Sequence, residues 1–108
     1  DAIKTSAGAL YKLPVVRTSR IKESVKFLKD SGLKVIAATE KGSKTYTEIS
    51  YKEPVVLVMG SEENGISDDL IRMADELVTI PVLGEIESLN VSVAAGVILY
   101  EIVRQRNL

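Results

Sequence analysis

The sequence contains no cysteine and no histidine. The first absence removes disulfides, thiolate zinc sites and cysteine nucleophiles together. The second removes the side chain that most often carries protons near neutral pH, leaving carboxylates, Lys, Arg, Tyr, hydroxyls or the substrate itself. Aromatic residues make up only 5% of the chain, so its packing must rest on Val, Ile, Leu and Ala. No signal peptide or membrane-spanning apolar run appears, and a reducing, cytoplasmic setting is the default expectation.

What is present fits one globular domain over residues 1–108, with 45% apolar content and no linker, repeat or low-complexity block. Charge is divided unevenly. Residues 1–50 carry ten Lys or Arg against five Asp or Glu, and residues 51–108 carry four against ten. The first half offers a surface that could face phosphate, or simply a lysine-rich solvated one.

The chain opens with Asp1 to Ala9, which reads as a short helix, followed by a strand over Leu13 to Arg17 with Pro14 at its entrance. Ser19 is a candidate cap for a helix with Ile21, Val25, Phe27 and Leu28 as its apolar stripe, ending near Gly32. Lys34 to Thr39 is a strand, and Lys41 to Lys52 a polar connection whose Thr45, Tyr46 and Thr47 suit a turn or a short edge. Pro54 to Met59 is an unbroken apolar run, as expected of a central strand covered on both faces. Ser67 caps a helix reaching about Ala74, with acid at the end its dipole favours. Leu77 to Ile80 is a further strand. Alternation of strands and helices predicts an α/β domain with a mostly parallel sheet and flanking helices.

The last third is organised around Ile80 to Arg106, where a loop punctuated by Pro81 and Gly84 leads into a long apolar helix. Ser88 or Asn90 stands where its N-cap belongs. At 100° per residue Val91, Ala95, Ile98 and Ile102 fall on one side, and Val93, Val97 and Tyr100 on the other. A helix apolar on two faces has two surfaces to cover, one its own sheet and the other a possible partner subunit. Tyr100 and Met59 are otherwise expected to serve packing.

Ligands of parallel sheets bind beyond the carboxyl ends of strands, here marked by Gly60 and Ile80. Two loops therefore converge on one edge, Gly60 to Gly65 and Pro81 to Asn90, both rich in glycine and small polar residues. Such loops let a ligand approach the backbone and read it without charged side chains. Taken alone, Gly60-Ser61-Glu62-Glu63-Asn64-Gly65 is the composition of an ordinary turn, and Glu62 and Glu63 that of solvated turn residues.

Together the loops carry a resemblance. Gly60, Glu62 and Gly65 match Gly-x-Glu-x-x-Gly, the second motif of SpoU-type RNA ribose 2′-O-methyltransferases in the SPOUT superfamily. Ile80, Pro81, Gly84, Ser88, Leu89, Asn90, Val91, Ser92 and Ala94 match their third motif, Ile-Pro-x-x-Gly-x-x-x-Ser-Leu-Asn-Val-Ser-x-Ala. The family's tail is present at Leu99 to Glu101 and Arg104 to Arg106, and Ser6 to Ala9 with Leu13 to Val15 also looks like the family.

The resemblance implies a SPOUT-type fold whose carboxyl-terminal segment forms a deep trefoil knot, in exception to the usual topology rules. It implies S-adenosylmethionine held mostly by backbone at Gly60, Ile80 and Leu89, with Glu62, Ser88 and Asn90 as catalytic or structural polar groups. The substrate would be the ribose 2′-hydroxyl of ribosomal or transfer RNA, with no metal required. The protein would be a homodimer joined through the carboxyl-terminal helix. The cofactor brings an activated methyl, so the protein must orient it in line with the ribose oxygen and manage one proton. An unperturbed Glu pKa of about 4.3 suits an orienting role for Glu62 better than a base role.

One departure stands against these matches. The family's first motif, Asn-x-Gly-x-x-x-Arg, has no counterpart, since no Asn precedes Asn64. Arg17 and Arg20 lack the accompanying Asn and Gly. The chain is expected to be the larger part of a catalytic domain whose opening βα portion lies elsewhere, and to transfer little methyl by itself. A noncatalytic cofactor-binding or dimerisation module is the alternative, and an unrelated anion-binding α/β domain is a more remote one.

Overall fold

The computed structural model describes residues 3–7, 12–16, 21–60, 66–81 and 91–107. Its frame is a four-stranded parallel sheet in the order β4, β6, β3, β5, formed by β3 (Lys34–Ala38), β4 (Lys44–Thr45), β5 (Val55–Met59) and β6 (Glu76–Thr79). Helices α1 (Ile21–Asp30), α2 (Asp68–Met73) and α3 (Val91–Asn107) flank it, the α/β arrangement that the alternation of elements predicts.

Ahead of this frame, β1 (Ile3–Ala7) and β2 (Lys12–Val16) form an antiparallel pair. The expected helix over Asp1 to Ala9 is therefore corrected: Ile3 to Ala7 pairs residue for residue with Lys12 to Val16, and a neighbouring strand outweighs weak local preference. Pro14 lies within β2, opposite Thr5, rather than at its entrance. A two-stranded pair has only edges, where a missing N–H is tolerated.

Strand β3 occupies the interior of the parallel sheet. Ala38 is in register with Met59 of β5 on one side and Val78 of β6 on the other. The apolar run 54–59 is accordingly not central in the strand order: β5 ends the four-stranded set. Its apolar continuity reports that both of its faces are covered. Val55 joins a cluster with Ile36, Ile49, Tyr51, Val78, Ile98 and Ile102, while Val56 and Val58 join Val25, Leu28, Val35, Ala37 and Leu70. Successive strand residues point to opposite faces, so one run feeds two cores, with α1 and α2 on one side and α3 on the other. Each fully buried Val or Ile side chain contributes roughly 1.5–3 kcal/mol.

Local chemistry sets the element ends. Gly32, at φ 99°, follows α1 in the left-handed conformation that other residues rarely adopt, while Leu33 N–H donates to the Leu28 carbonyl at 3.1 Å. Ser67 caps α2 by accepting from Leu70 N–H at 3.3 Å, as its position in the sequence predicts. Phe27 does not join the α1 stripe and is 65% exposed, because it stands 200° around the helix from Val25. The polar 41–52 connection holds the short β4 and a 3₁₀ turn over Tyr46–Glu48, in which the Glu48 carboxylate accepts from Thr45 N–H at 2.7 Å.

The uneven charge halves meet each other. Lys22 pairs with Asp69, Lys29 with Asp75, Lys34 with Glu53 and Glu76, and Lys44 with Glu76. Four lysines of the first half thus meet carboxylates of the second. Exposed pairs of this kind add little stability, but they offset part of the basic excess of the first half.

At the far end of α3 a polar network fastens the helix to the segment before β5. The buried Glu101 carboxylate accepts from Arg104 Nε at 2.7 Å, Arg104 Nη2 at 2.8 Å and Gln105 Nε2 at 2.9 Å. Gln105 Nε2 also donates to the Ile49 carbonyl, and its Oε1 accepts from Tyr51 N–H, both at 2.9 Å. Arg106 donates to the carbonyls of Tyr51 and Glu53 at 2.9 and 3.0 Å. The Tyr51 hydroxyl, wholly buried, donates to the Tyr46 carbonyl, and burial together with the nearby Glu101 charge pushes its pKa up. Hydrogen bonds from Arg104 outweigh burial at Glu101 and hold its carboxyl below the usual range.

A group whose folded pKa is depressed stabilises the fold above its unfolded value, and that contribution disappears as pH falls through the folded value. Glu101→Gln should therefore cost about 1–3 kcal/mol near neutral pH, the scale of a hydrogen-bonded buried charge. The gap should close below the folded pKa, where the parent residue is also neutral. Urea unfolding of both chains at pH 7 and at a series of falling pH values measures it.

Candidate cofactor site at the carboxyl edge of the sheet

Because β3 is parallel to both neighbours, three strand ends open side by side: Ala38 at the centre, Met59 on one flank, and Val78 with Thr79 on the other. The parallel pair of β4 and β6 adds Thr45 beside Thr79. Gly60 follows β5 directly and Ile80 follows β6 directly. Both are half-buried and lie at the same edge, so the structure brings these two predicted cofactor contacts together.

Leu89 and the polar candidates Glu62, Ser88 and Asn90 lie outside the described residues, as do the 82–90 loop and any knot formed there. In the sequence, Asn90 stands immediately before Val91, where α3 begins.

Sequence reasoning missed the turn after β3. Thr39 N–H donates to the Val78 carbonyl at 2.9 Å, so this residue continues the ladder into the space between Gly60 and Ile80. Its hydroxyl accepts from Lys41 N–H at 3.2 Å, and its carbonyl accepts from Gly42 N–H at 2.9 Å. Gly42 then lies flat against β6. A Cβ at this position would stand 2.6 Å from the Val78 carbonyl carbon and 2.9 Å from the Thr79 nitrogen. The available signal was the Gly42 that follows Thr39-Glu40-Lys41, where a strand had just ended.

The floor beneath this edge is apolar. Met59, Ile80 and Ala38 pack on the cluster that holds Ile98 and Val78. An edge combining half-buried aliphatic side chains with strand-end backbone suits a flat, largely neutral group that is read by backbone amides and carbonyls. Among the described residues no group of three His, Cys, Asp or Glu is placed to hold a metal ion. Nor, among them, is any helix long and apolar enough to cross a membrane.

Away from that edge, α3 shows the two faces its sequence predicts. Ile98 and Ile102 are buried, whereas Val93, Tyr100 and Val103 are exposed. Tyr100 does not serve packing within the chain. At 78% exposed it borders a shallow groove of about 460 Å³ with Tyr46, Val93, Gly96, Val97 and Glu101.

Comparison with known proteins places this geometry in context. The SpoU rRNA Methylase family matches residues 1–100. An uncharacterised tRNA/rRNA methyltransferase of Mycobacterium leprae (strain TN) is 42% identical over 107 residues, covering 99% of this chain and 35% of its own length. Among solved structures, an RNA 2′-O ribose methyltransferase superposes with a TM-score of 0.77 at 35% identity, over 84% of this chain and 35% of the other. The S-adenosylmethionine-bound rRNA methyltransferase of Sinorhizobium meliloti superposes with a TM-score of 0.72 at 38% identity, over 77% and 32%. The chain thus spans about a third of the length of the curated relatives it matches.

The turn after β3 supplies a test of how tightly this edge is built. Gly42→Ala should destabilise the chain by about 1–3 kcal/mol, the scale of overpacking against atoms that cannot move aside. Chemical denaturation gives the size of the loss, and amide shifts confined to Thr39, Val78 and Thr79 would locate its origin.

Proposed function

The chain belongs to the SpoU rRNA methylase family, and from that premise we propose that it forms the cofactor-binding part of an S-adenosylmethionine-dependent RNA ribose 2′-O-methyltransferase. The observation that carries this reading is the convergence of Gly60 and Ile80 on either side of Thr39, at one edge of parallel strands. An adenosine moiety would rest on the apolar floor of Met59 and Ile80, its polar edge met by backbone at Gly60, Ile80 and Leu89.

When bound, S-adenosylmethionine supplies a methyl group already activated on a sulfonium, so no metal is called for. The residues that remain have an orienting task. Glu62 is assigned to orientation, since a carboxylate is in general a weak acceptor for a hydroxyl proton. Ser88 and Asn90 add polar groups near the entry of α3. The substrate is a ribose 2′-hydroxyl in ribosomal or transfer RNA, and the 82–90 loop takes part in the family's trefoil knot.

The exposed face of α3 belongs to the same proposal as a contact with a second copy of the chain. Val93, Val97, Tyr100 and Val103 form an apolar strip on one helix, and a Cβ at Gly96 would meet nothing within 4 Å. A smooth apolar strip beside a groove is the kind of surface that subunits cover.

Two measurements test these assignments. Gly60→Val should abolish calorimetrically detectable binding of S-adenosylmethionine while leaving thermal unfolding nearly unchanged, because the added side chain occupies the space a ligand needs for backbone approach. Unchanged affinity would remove the cofactor from this edge. Val97→Glu should convert a sedimenting dimer to monomer, since the carboxylate would be buried without a partner. A dimer of undiminished stability in that variant would move the subunit contact off α3.

A further inference from the structure

Helix α3 is buried on its more apolar side, but the contrast between its sides is small. Its inward stripe runs Val91, Ala94, Ala95, Ile98, Glu101, Ile102 and Gln105, so the carboxyl-terminal half presents two polar side chains to the protein. The opposite side carries Val93, Val97, Tyr100 and Val103 together with Arg104 and Asn107. Burial of apolar area alone favours the observed rotation only weakly, since valines lie outward as well. Sliding one turn along the sheet would keep the same side inward, and apolar burial opposes it still less.

We propose that Gln105 and Arg106 are positioning residues that select the rotation and axial register of α3, and thereby decide which of its two apolar faces is presented outward. Their partners are backbone groups at fixed points of one short segment: Tyr51 N–H and the Ile49 carbonyl for Gln105, the Tyr51 and Glu53 carbonyls for Arg106. Four directional bonds to one segment cannot be satisfied together after a one-residue slip, which moves each side chain by about 1.5 Å and 100°. Glu101 braces the arrangement by accepting from Gln105, which orients the amide, and from Arg104, which balances the buried charge. Among the described residues no buried side-chain polar atom lacks a partner, so the native register satisfies the whole set. Any other register would part Gln105 and Arg106 from the Ile49, Tyr51 and Glu53 backbone groups they bond. Isolated buried polar groups are known to fix helix register in this way while adding little net stability.

The inference rests on the packing of α3 and does not require the proposed activity. It is tested by the distance between two spin labels in the full chain, whose lack of cysteine makes labelling site-specific. Labels replace the exposed Glu23 on α1 and Val103 on α3, with excess unlabelled chain added so that only distances within one molecule are read. The parent should give one narrow distance. Gln105→Met and Arg106→Met singly should broaden it, and the double variant should add a second population displaced by about 5 Å, the rise of one helical turn. A single undisplaced distance in the folded double variant overturns the proposal. Failure of either single variant to fold overturns it as well, because these side chains would then sustain the core and not choose between registers.

Discussion

The carboxyl edge exists because β3 has a parallel partner on each side. Ladder bonds to β5 and β6 bring Met59 and Val78 level with Ala38, so the residues that follow them emerge together although about twenty positions separate them in sequence. Were either neighbour antiparallel, Gly60 or Ile80 would lie at the opposite end of the sheet. The same pairing buries β3 on both faces, and Val35, Ile36 and Ala37 are wholly inaccessible. At the opposite end, Asp75 locks the register by accepting from Val35 N–H at 2.7 Å while its own N–H donates to the Val35 carbonyl at 2.7 Å. The strand ends that make up the candidate site are positioned by backbone pairing.

Much of that frame was legible in the sequence because its signals are local and strong. Val55 to Met59 is apolar without interruption, Ser67 precedes two acids, and Gly32 follows an apolar stripe at helical spacing. What escaped depends on partners distant in sequence. Ile3 to Ala7 is a strand because Lys12 to Val16 lies beside it. Composition could not rank the strands of the sheet, since a run covered on both faces reads alike at its centre and near its edge. Thr39 went unnoticed as part of the carboxyl edge because its place depends on a bond to Val78, 39 residues away.

The site was legible in a different manner. Its glycines and small polar residues looked like ordinary turns one loop at a time, and only the two loops together carried a resemblance. The structure adds a physical reason for Gly60 and Ile80 to belong to one site, which is adjacency across β3. It adds equal weight to the turn over 39–42, where Gly42 lies against β6 more closely than any side chain would permit.

Helix α3 joins both themes. Its first turn carries the last residues of the third motif, its middle packs Ile98 beneath the strands that lead to Gly60 and Ile80, and its end is tied to the segment entering β5. Sequence periodicity revealed two apolar faces without ranking them, since Glu101 and Gln105 lie among the inward positions and lower the contrast between sides. Their burial is intelligible only with Ile49, Tyr51 and Arg104 in place. A purely apolar inward stripe would hold the helix more greasily and specify it less. The tail Arg104-Gln105-Arg106, which resembles a family signature in sequence, has a physical role in that contrast: it supplies direction where hydrophobic burial supplies only adhesion. An apolar outer face can then be held ready for a partner without competing for the core.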